Sequence, residues 1–237
     1  MKKWVQEVID FVVYASGSAG NLYTVDDGHT KIMIEMGLPI KEIKKVLNFN
    51  LPSYALLTHR HFDHSKSVKE IMKAGIDVFT SQGTINELGL SGHRIHAVRE
   101  KEKFTIGTWT VLPLLAQHDV PEPFCYLMVN SIGEKILFAT DTFYLRYRFS
   151  ELKVIAIECN YSPDILQKNI ENGSVNEAMK SRLLESHFSL PNVKKFLKAN
   201  DLSKVEEIYL IHLSSGNSDE ARFKREIQEL TGKVVIV

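Results

Sequence analysis

Four side chains able to bind a borderline divalent metal fall within the run Thr58-His59-Arg60-His61-Phe62-Asp63-His64. Imidazole and carboxylate are ligands that such ions take from proteins, and His59, His61, Asp63 and His64 are packed more densely than a folded core needs. The run follows Tyr54-Ala55-Leu56-Leu57, an apolar stretch that reads as a short buried strand. Three more candidates share this placement at the end of an apolar strand. His118 follows Val111 to Gln117, Asp141 follows Ile136 to Thr140, and His212 follows Ile208 to Ile211. A lone histidine at a strand end is more often structural than a ligand. Three such residues downstream of the cluster shift the reading toward one shared metal site.

The elements that must position these residues can be read along the chain. Residues 5–15 form an expected strand that enters Ser16-Gly17-Ser18-Ala19-Gly20-Asn21, a small-residue loop that either lets backbone approach a ligand or is a plain turn between strands. Ser18 and Asn21 are therefore candidate substrate contacts. A hairpin turns at Asp27-Gly28, and a helix is expected from Pro39 to about Leu47, with Ile40, Ile43, Val46 and Leu47 on one face. After the histidine loop a helix is expected from about Ser65 to Lys73, ended by Gly75. Strands then recur at 77–80, 95–98, 103–106, 109–116, 124–130, 135–140 and 154–158, with a short helix at 82–88. Helical patterns fill 163–171, 176–184 and 190–199. A strand at 208–212, a helix at 219–231 and a last strand at 234–237 complete an α/β chain rich in hairpins. There is no repeat, low-complexity tract or long polar linker, so residues 1–237 read as a single domain.

Bulk properties exclude some functions. The chain has 237 residues, 44% of them apolar, enough for one substantial core. Lysine plus arginine equals aspartate plus glutamate at 29 each, so the totals show no strongly basic nucleic-acid surface. Two cysteines, Cys125 and Cys159, make no disulfide framework and fit a reducing, cytoplasmic setting. Gln6, Glu7 and Asp10 interrupt the N-terminal apolar run, which argues against an export signal. No run of about 18 apolar residues is present, so no membrane partner is expected. The oligomeric state stays open.

The cluster His59-Arg60-His61-Phe62-Asp63-His64, followed in order by His118, Asp141 and His212, resembles the metallo-β-lactamase fold superfamily. The resemblance implies a four-layer αβ/βα sandwich with a dinuclear site on one edge. It implies that His59, His61 and His118 hold one ion, that Asp63, His64 and His212 hold the other, and that Asp141 bridges them. Zn²⁺ suits this donor set best and Mn²⁺ also fits a nuclease. Ser16 to Asn21, His118 to Pro123, Ala139 to Thr142, Glu158-Cys159-Asn160, Ser186 to Ser189 and His212-Leu213-Ser214 are spaced like the YycJ/WalJ-type exonuclease group. That likeness implies a DNA substrate. Glu35 departs from the superfamily's usual aspartate, and Cys125 and Ser186 depart from the subgroup's glycines.

The implied reaction is phosphodiester hydrolysis through a metal-bridging hydroxide. Two ions about 3.5–4 Å apart clamp a water, lower its pKa and neutralise charge on the phosphate. Asp63 is expected to orient that nucleophile and take its proton. His187 is the expected acid for the leaving oxygen, with Glu158 favouring its imidazolium form. Lys194 and Lys195, on one helix shortly after His187, are candidate phosphate contacts. Phe143-Tyr144-Leu145-Arg146-Tyr147-Arg148 could stack unpaired bases or simply pack under the site. The competing expectations are hydrolysis of a small ester (a cyclic nucleotide, thioester or lactone) and a non-catalytic binding module.

Overall fold

The computed structural model describes residues 9–237; the first part of the expected opening strand, residues 5–8, lies outside the described residues. Two mixed sheets carry the strands. The first holds, in spatial order, β1 (Asp10–Ala15), β2 (Leu22–Asp26), β3 (Lys31–Ile34), β4 (Tyr54–Leu56), β5 (Asp77–Ser81) and β6 (Ile95–Val98). β1 to β3 pair antiparallel and β3 to β6 parallel. The second sheet runs from β7 (Phe104–Ile106) and β8 (Trp109–Leu115) through β9 (Phe124–Val129) and β10 (Lys135–Ala139). It continues through β11 (Leu152–Glu158) and β12 (Glu207–Ile211) to β13 (Val234–Ile236). Its first four strands are antiparallel, and β10 to β13 are parallel.

Three apolar cores separate four layers. The middle core joins the sheets through Tyr23, Ile32 and Leu56 on one side and Trp109, Phe138 and Ile211 on the other. An outer core packs α1 (Ile40–Val46), α3 (Val68–Lys73) and α4 (Gln82–Leu88) on the first sheet. The second outer core packs α7 (Leu190–Lys198) and α8 (Glu220–Thr231) on the second sheet. This is the αβ/βα sandwich expected from the resemblance. Parallel strands covered on both faces must be apolar on both, which is why β10, β11 and β12 read as nearly continuous apolar runs.

The expected helix at 65–73 is instead two short pieces, α2 (Phe62–Ser65) and α3. Ser67 interrupts them because its N–H donates to Met36 O and its hydroxyl to Leu38 O. Those bonds tie the chain to the loop after β3, so tertiary contact overrides helix continuity. The remaining helices, α5 (Pro163–Glu171) and α6 (Glu177–Ser186), lead into α7. Ser189 caps α7 by accepting from Asn192 N–H, and Val193, Phe196 and Leu197 seat that helix in the core. His187 thereby lies at the junction between α6 and this anchored helix.

Candidate metal centre

β4 delivers His59 to the edge where the parallel strands end. The following loop is clamped by backbone. Asn21 N–H donates to Asp63 O at 2.8 Å, Met36 N–H to His64 O at 2.7 Å and Gly37 N–H to Asn21 O at 2.9 Å. The approach is so close that a Cβ on Gly37 would stand 1.6 Å from Asp63 O. Asn21 is fully buried, and its amide donates to Gly17 O and Asp63 O. This corrects the expectation that Asn21 meets substrate: its polar atoms are consumed in bracing the metal loop. Tyr23 donates to Asn21 Oδ1 at 3.0 Å, stacks its ring on Phe11 and meets Phe138 edge to face in the middle core. The core thus anchors the loop directly.

Two groups of donor atoms converge here. In the first, His61 Nδ1 lies 3.1 Å from His59 Nε2 and 3.0 Å from His118 Nε2. Asp141 Oδ2 completes it, 3.5 Å from His59 and 3.7 Å from His118. In the second, Asp63 Oδ2 lies 3.3 Å from both His64 Nε2 and His212 Nε2. Asp141 Oδ2 is also 3.5 Å from His64 Nε2, so one carboxylate oxygen faces both groups. A four-coordinate ion with bonds of about 2.0–2.1 Å spaces its donors by about 3.3 Å, close to what both groups show. One neutral imidazole nitrogen cannot satisfy two others at hydrogen-bond distance, whereas a cation among them satisfies all three. The residues therefore fit divalent ions.

Electrostatics separates the groups. Burial, reinforced by neighbouring imidazoles, pushes His59 well below the usual histidine range and lowers His118. Burial and His118 bring His61 down to about 4. These three present neutral nitrogens at pH 7. Burial would also lower His212, but Asp141, Asp63 and Glu158 overcome it and push it up to about 10. His64 is likewise raised against burial, by Asp141 and Glu35. Asp63 is held far below the carboxylate range against its burial by His212 and His64. The second group is an imidazolium–carboxylate network of the kind a cation would reorganise.

Outer contacts orient the rings. Thr58 Oγ1 lies 2.8 Å from His59 Nδ1. Glu35 Oε1 approaches His64 Nδ1 to 3.5 Å, both fully buried, an electrostatic contact longer than a hydrogen bond. Such partners fix tautomer and ring direction at metal sites. Three of the residues sit in left-handed backbone: Glu35 at φ 65°, Asp141 at φ 43° and His212 at φ 53°. Each follows a strand end, and such strain on non-glycine residues costs about 1–3 kcal/mol apiece.

Glu158 ends β11, fully buried. Its Oε1 lies 2.6 Å from His187 Nδ1 and 2.9 Å from His212 Nδ1, and its Oε2 accepts from Thr142 and Phe188 N–H. Burial alone would raise its pKa, but His187 holds it down; Glu158 in turn raises His187 against burial. The contact from Glu158 to His212 is not evident in the sequence, because it needs β11 and β12 paired in register. Asn160 is another residue that sequence reasoning left without a role. It donates to His212 O at 2.9 Å and borders the cavity, and only the local string Glu158-Cys159-Asn160 hinted at it.

A cavity of about 320 Å³ opens over the centre, bordered by Ser18, Phe62, Asp63, His187, Leu213 and Ser214. Lys194 and Lys195 do not border it, contrary to expectation. Lys194 faces α8 and pairs with Glu226; Lys195 flanks a separate groove beside Tyr144 and Arg148.

A family model described as the β-lactamase superfamily domain matches residues 39–213. The chain belongs to this family. It is thus a member of a metal-dependent hydrolase superfamily, with His/Asp clusters suited to divalent metals. Exodeoxyribonuclease YycJ of Bacillus anthracis is 28% identical over 89% of this chain and 84% of its own. Exodeoxyribonuclease WalJ of Streptococcus pneumoniae is 25% identical over 88% and 82% respectively. Among solved structures, the metallo-β-lactamase fold protein YhfI of Bacillus subtilis superposes with a TM-score of 0.73 at 14% identity, covering 97% of this chain and 96% of its own. That likeness speaks for the fold. Among the described residues, no helix is long and apolar enough to cross a membrane.

Proposed function

We propose that this chain is a dinuclear metal-dependent phosphodiesterase that degrades DNA as an exonuclease. The observation that carries the reading is the pair of donor groups sharing Asp141, with His187 held by Glu158 at the mouth of the same cavity. Exodeoxyribonuclease names on two relatives support DNA as the substrate. His59, His61, His118 and Asp141 would hold one ion, and Asp63, His64, His212 and Asp141 the other. Zn²⁺ is the first choice for these donors and Mn²⁺ the second. Bound ions supply Lewis acidity and an activated water.

The chain's own residues do the rest. Asp63, whose carboxylate faces the cavity beside His64 and His212, would orient the attacking water by accepting its hydrogen bond and take its proton. As the phosphorus–oxygen bond to the leaving group breaks, His187 Nε2 gives that oxygen a proton. Glu158 fixes the ring by accepting from Nδ1–H and favours the charged form. Ser18, on the cavity wall, would touch the phosphate. Two free, buried cysteines support a reducing, cytoplasmic setting.

One observation favours hydrolysis of a small ester instead: among the described residues, no lysine or arginine borders the cavity. A single assay separates the readings. Purified protein is given Zn²⁺ or Mn²⁺ with end-labelled single- and double-stranded DNA, beside Asp63→Ala and His64→Ala controls. The nuclease reading expects metal-dependent shortening that both controls lose. Turnover of a bis-aryl phosphate with no effect on DNA at high enzyme concentration would move the assignment to a small phosphodiester.

A further inference from the structure

Phe62 lies within the metal loop, between His61 and Asp63, yet its side chain takes no part in any of the three apolar cores. It is 69% exposed, and among the described residues it is the one exposed large hydrophobic that borders the cavity over the centre. Single exposed apolar residues are ordinary on protein surfaces. This one stands at the entrance to a reaction site, on a loop whose backbone is tied by main-chain hydrogen bonds from Asn21 and Met36. The backbone that carries its ring is therefore fixed beside the cavity.

A cation accompanies it. Lys66 Nζ sits 5.2 Å from the Phe62 ring centroid, one turn along the same segment. Lys66 is exposed and makes no ion pair among the described residues. Arg60, in the same loop, is by contrast engaged by Glu87 at 3.4 Å. The loop thus offers an aromatic face that borders the cavity and, beside that ring, an ammonium that makes no ion pair among the described residues. Aromatic rings stack bases whatever their identity, and an adjacent cation meets the phosphate, which is the pairing that binds single strands without sequence preference.

We propose that Phe62 and Lys66 form a subsite for the terminal nucleotide of a single-stranded DNA end: the ring stacks the base, and Lys66 contacts the neighbouring phosphate. The subsite rests on the phosphodiesterase reading above and deepens it, because it assigns the base recognition that the metal centre itself cannot perform. Its occupant is defined by a planar base attached to a phosphate, so removing the base from the DNA should remove the contribution of Phe62.

The test compares two single-stranded oligonucleotides, one ending in a normal nucleotide and one whose terminal residue is abasic. Each is degraded by the wild type, Phe62→Ala, Phe62→Trp and Lys66→Ala proteins, with metal content measured for all four. The subsite predicts that Phe62→Ala raises KM about tenfold on the normal end, by the scale of base–aromatic stacking. It predicts little change on the abasic end, recovery in Phe62→Trp, and unchanged metal content. Lys66→Ala should raise KM on both ends and flatten the salt dependence. If the wild type degrades DNA and Phe62→Ala alters both ends equally, or alters neither, the subsite is overturned while the nuclease reading stands. If Phe62→Ala lowers metal content, its role is structural and the subsite is overturned on that ground. If the wild type degrades neither oligonucleotide, the nuclease reading fails and the subsite fails with it.

Discussion

The two sheets supply the centre in different ways. The first contributes one contiguous loop after β4, carrying His59, His61, Asp63 and His64. The second contributes isolated residues from several places: His118 after β8, Asp141 after β10, Glu158 at the end of β11 and His212 after β12. Their support differs accordingly. The loop is fastened by main-chain hydrogen bonds from residues 21 and 36, with glycine required at 37 by the close approach to Asp63. The strand-end residues are linked to one another by side chains, with Glu158 joining His187 and His212. A site half-built from backbone and half from side-chain bonding should fail differently when each half is disturbed.

The largest expected effect is therefore Gly37→Ala. The added Cβ meets main-chain Asp63 O, which cannot move without unseating the loop. A loss of about 3 kcal/mol or more is expected, at the upper end of overpacking effects, together with loss of bound metal. Denaturant unfolding and metal analysis would check it; a protein of normal stability and full metal content would show that the loop is not clamped by backbone.

Glu158→Gln should be milder for the fold and specific for the reaction. The amide keeps the volume but withdraws the charge that holds the His187 and His212 rings. Metal affinity or turnover should fall about 10- to 100-fold, as for other supporting partners of metal ligands. The melting temperature should drop far less than in Gly37→Ala. Comparable unfolding in the two variants would erase the distinction between the halves.

The smallest effect belongs to the other end of the first sheet. Asp77, at the start of β5, receives Arg94 at 2.8 Å and lies 2.9 Å from His96 Nε2. His96 chiefly, then Arg94, depress its pKa. A depressed carboxylate stabilises the fold above its unfolded pKa of about 3.9, and that gain is lost as pH falls through the lower folded value. Both partners are partly exposed, so solvent screening limits the gain to about 0.5–1 kcal/mol. Asp77→Asn should cost that much at pH 7, cost nothing at a pH below the folded value, and leave metal content unchanged. A loss of metal would mean that the far ends of these strands also govern the centre.

Legibility followed the same division. The loop was readable because its ligands are adjacent, and adjacency survives in a linear sequence. His118, Asp141 and His212 were readable as a pattern, each closing an apolar run. The apolar runs of β10 to β12 were readable as strands, while their burial on both faces needed the layers to be seen. Ser67 ending one helix and starting another was not readable, since its partners Met36 and Leu38 lie about thirty positions earlier in the chain. The same holds for Asn21. A small polar residue in a glycine loop looks like a ligand contact until the structure shows its amide spent on Asp63 O. Lys194 looked free on its helix until α8 brought Glu226 to it.

What the sequence by itself determined is chemical inventory and periodicity: which side chains could bind a cation, and which runs had to be buried strands. These depend on residue type and local spacing, both present before folding. What only the tertiary structure decided is the direction of each group. It turned three neutral nitrogens toward Asp141, placed Glu158 between two histidines, and bent the chain into left-handed backbone at Glu35, Asp141 and His212. Such orientations are costly locally and exist only because packed sheets over-determine them, so no stretch of sequence carries them alone.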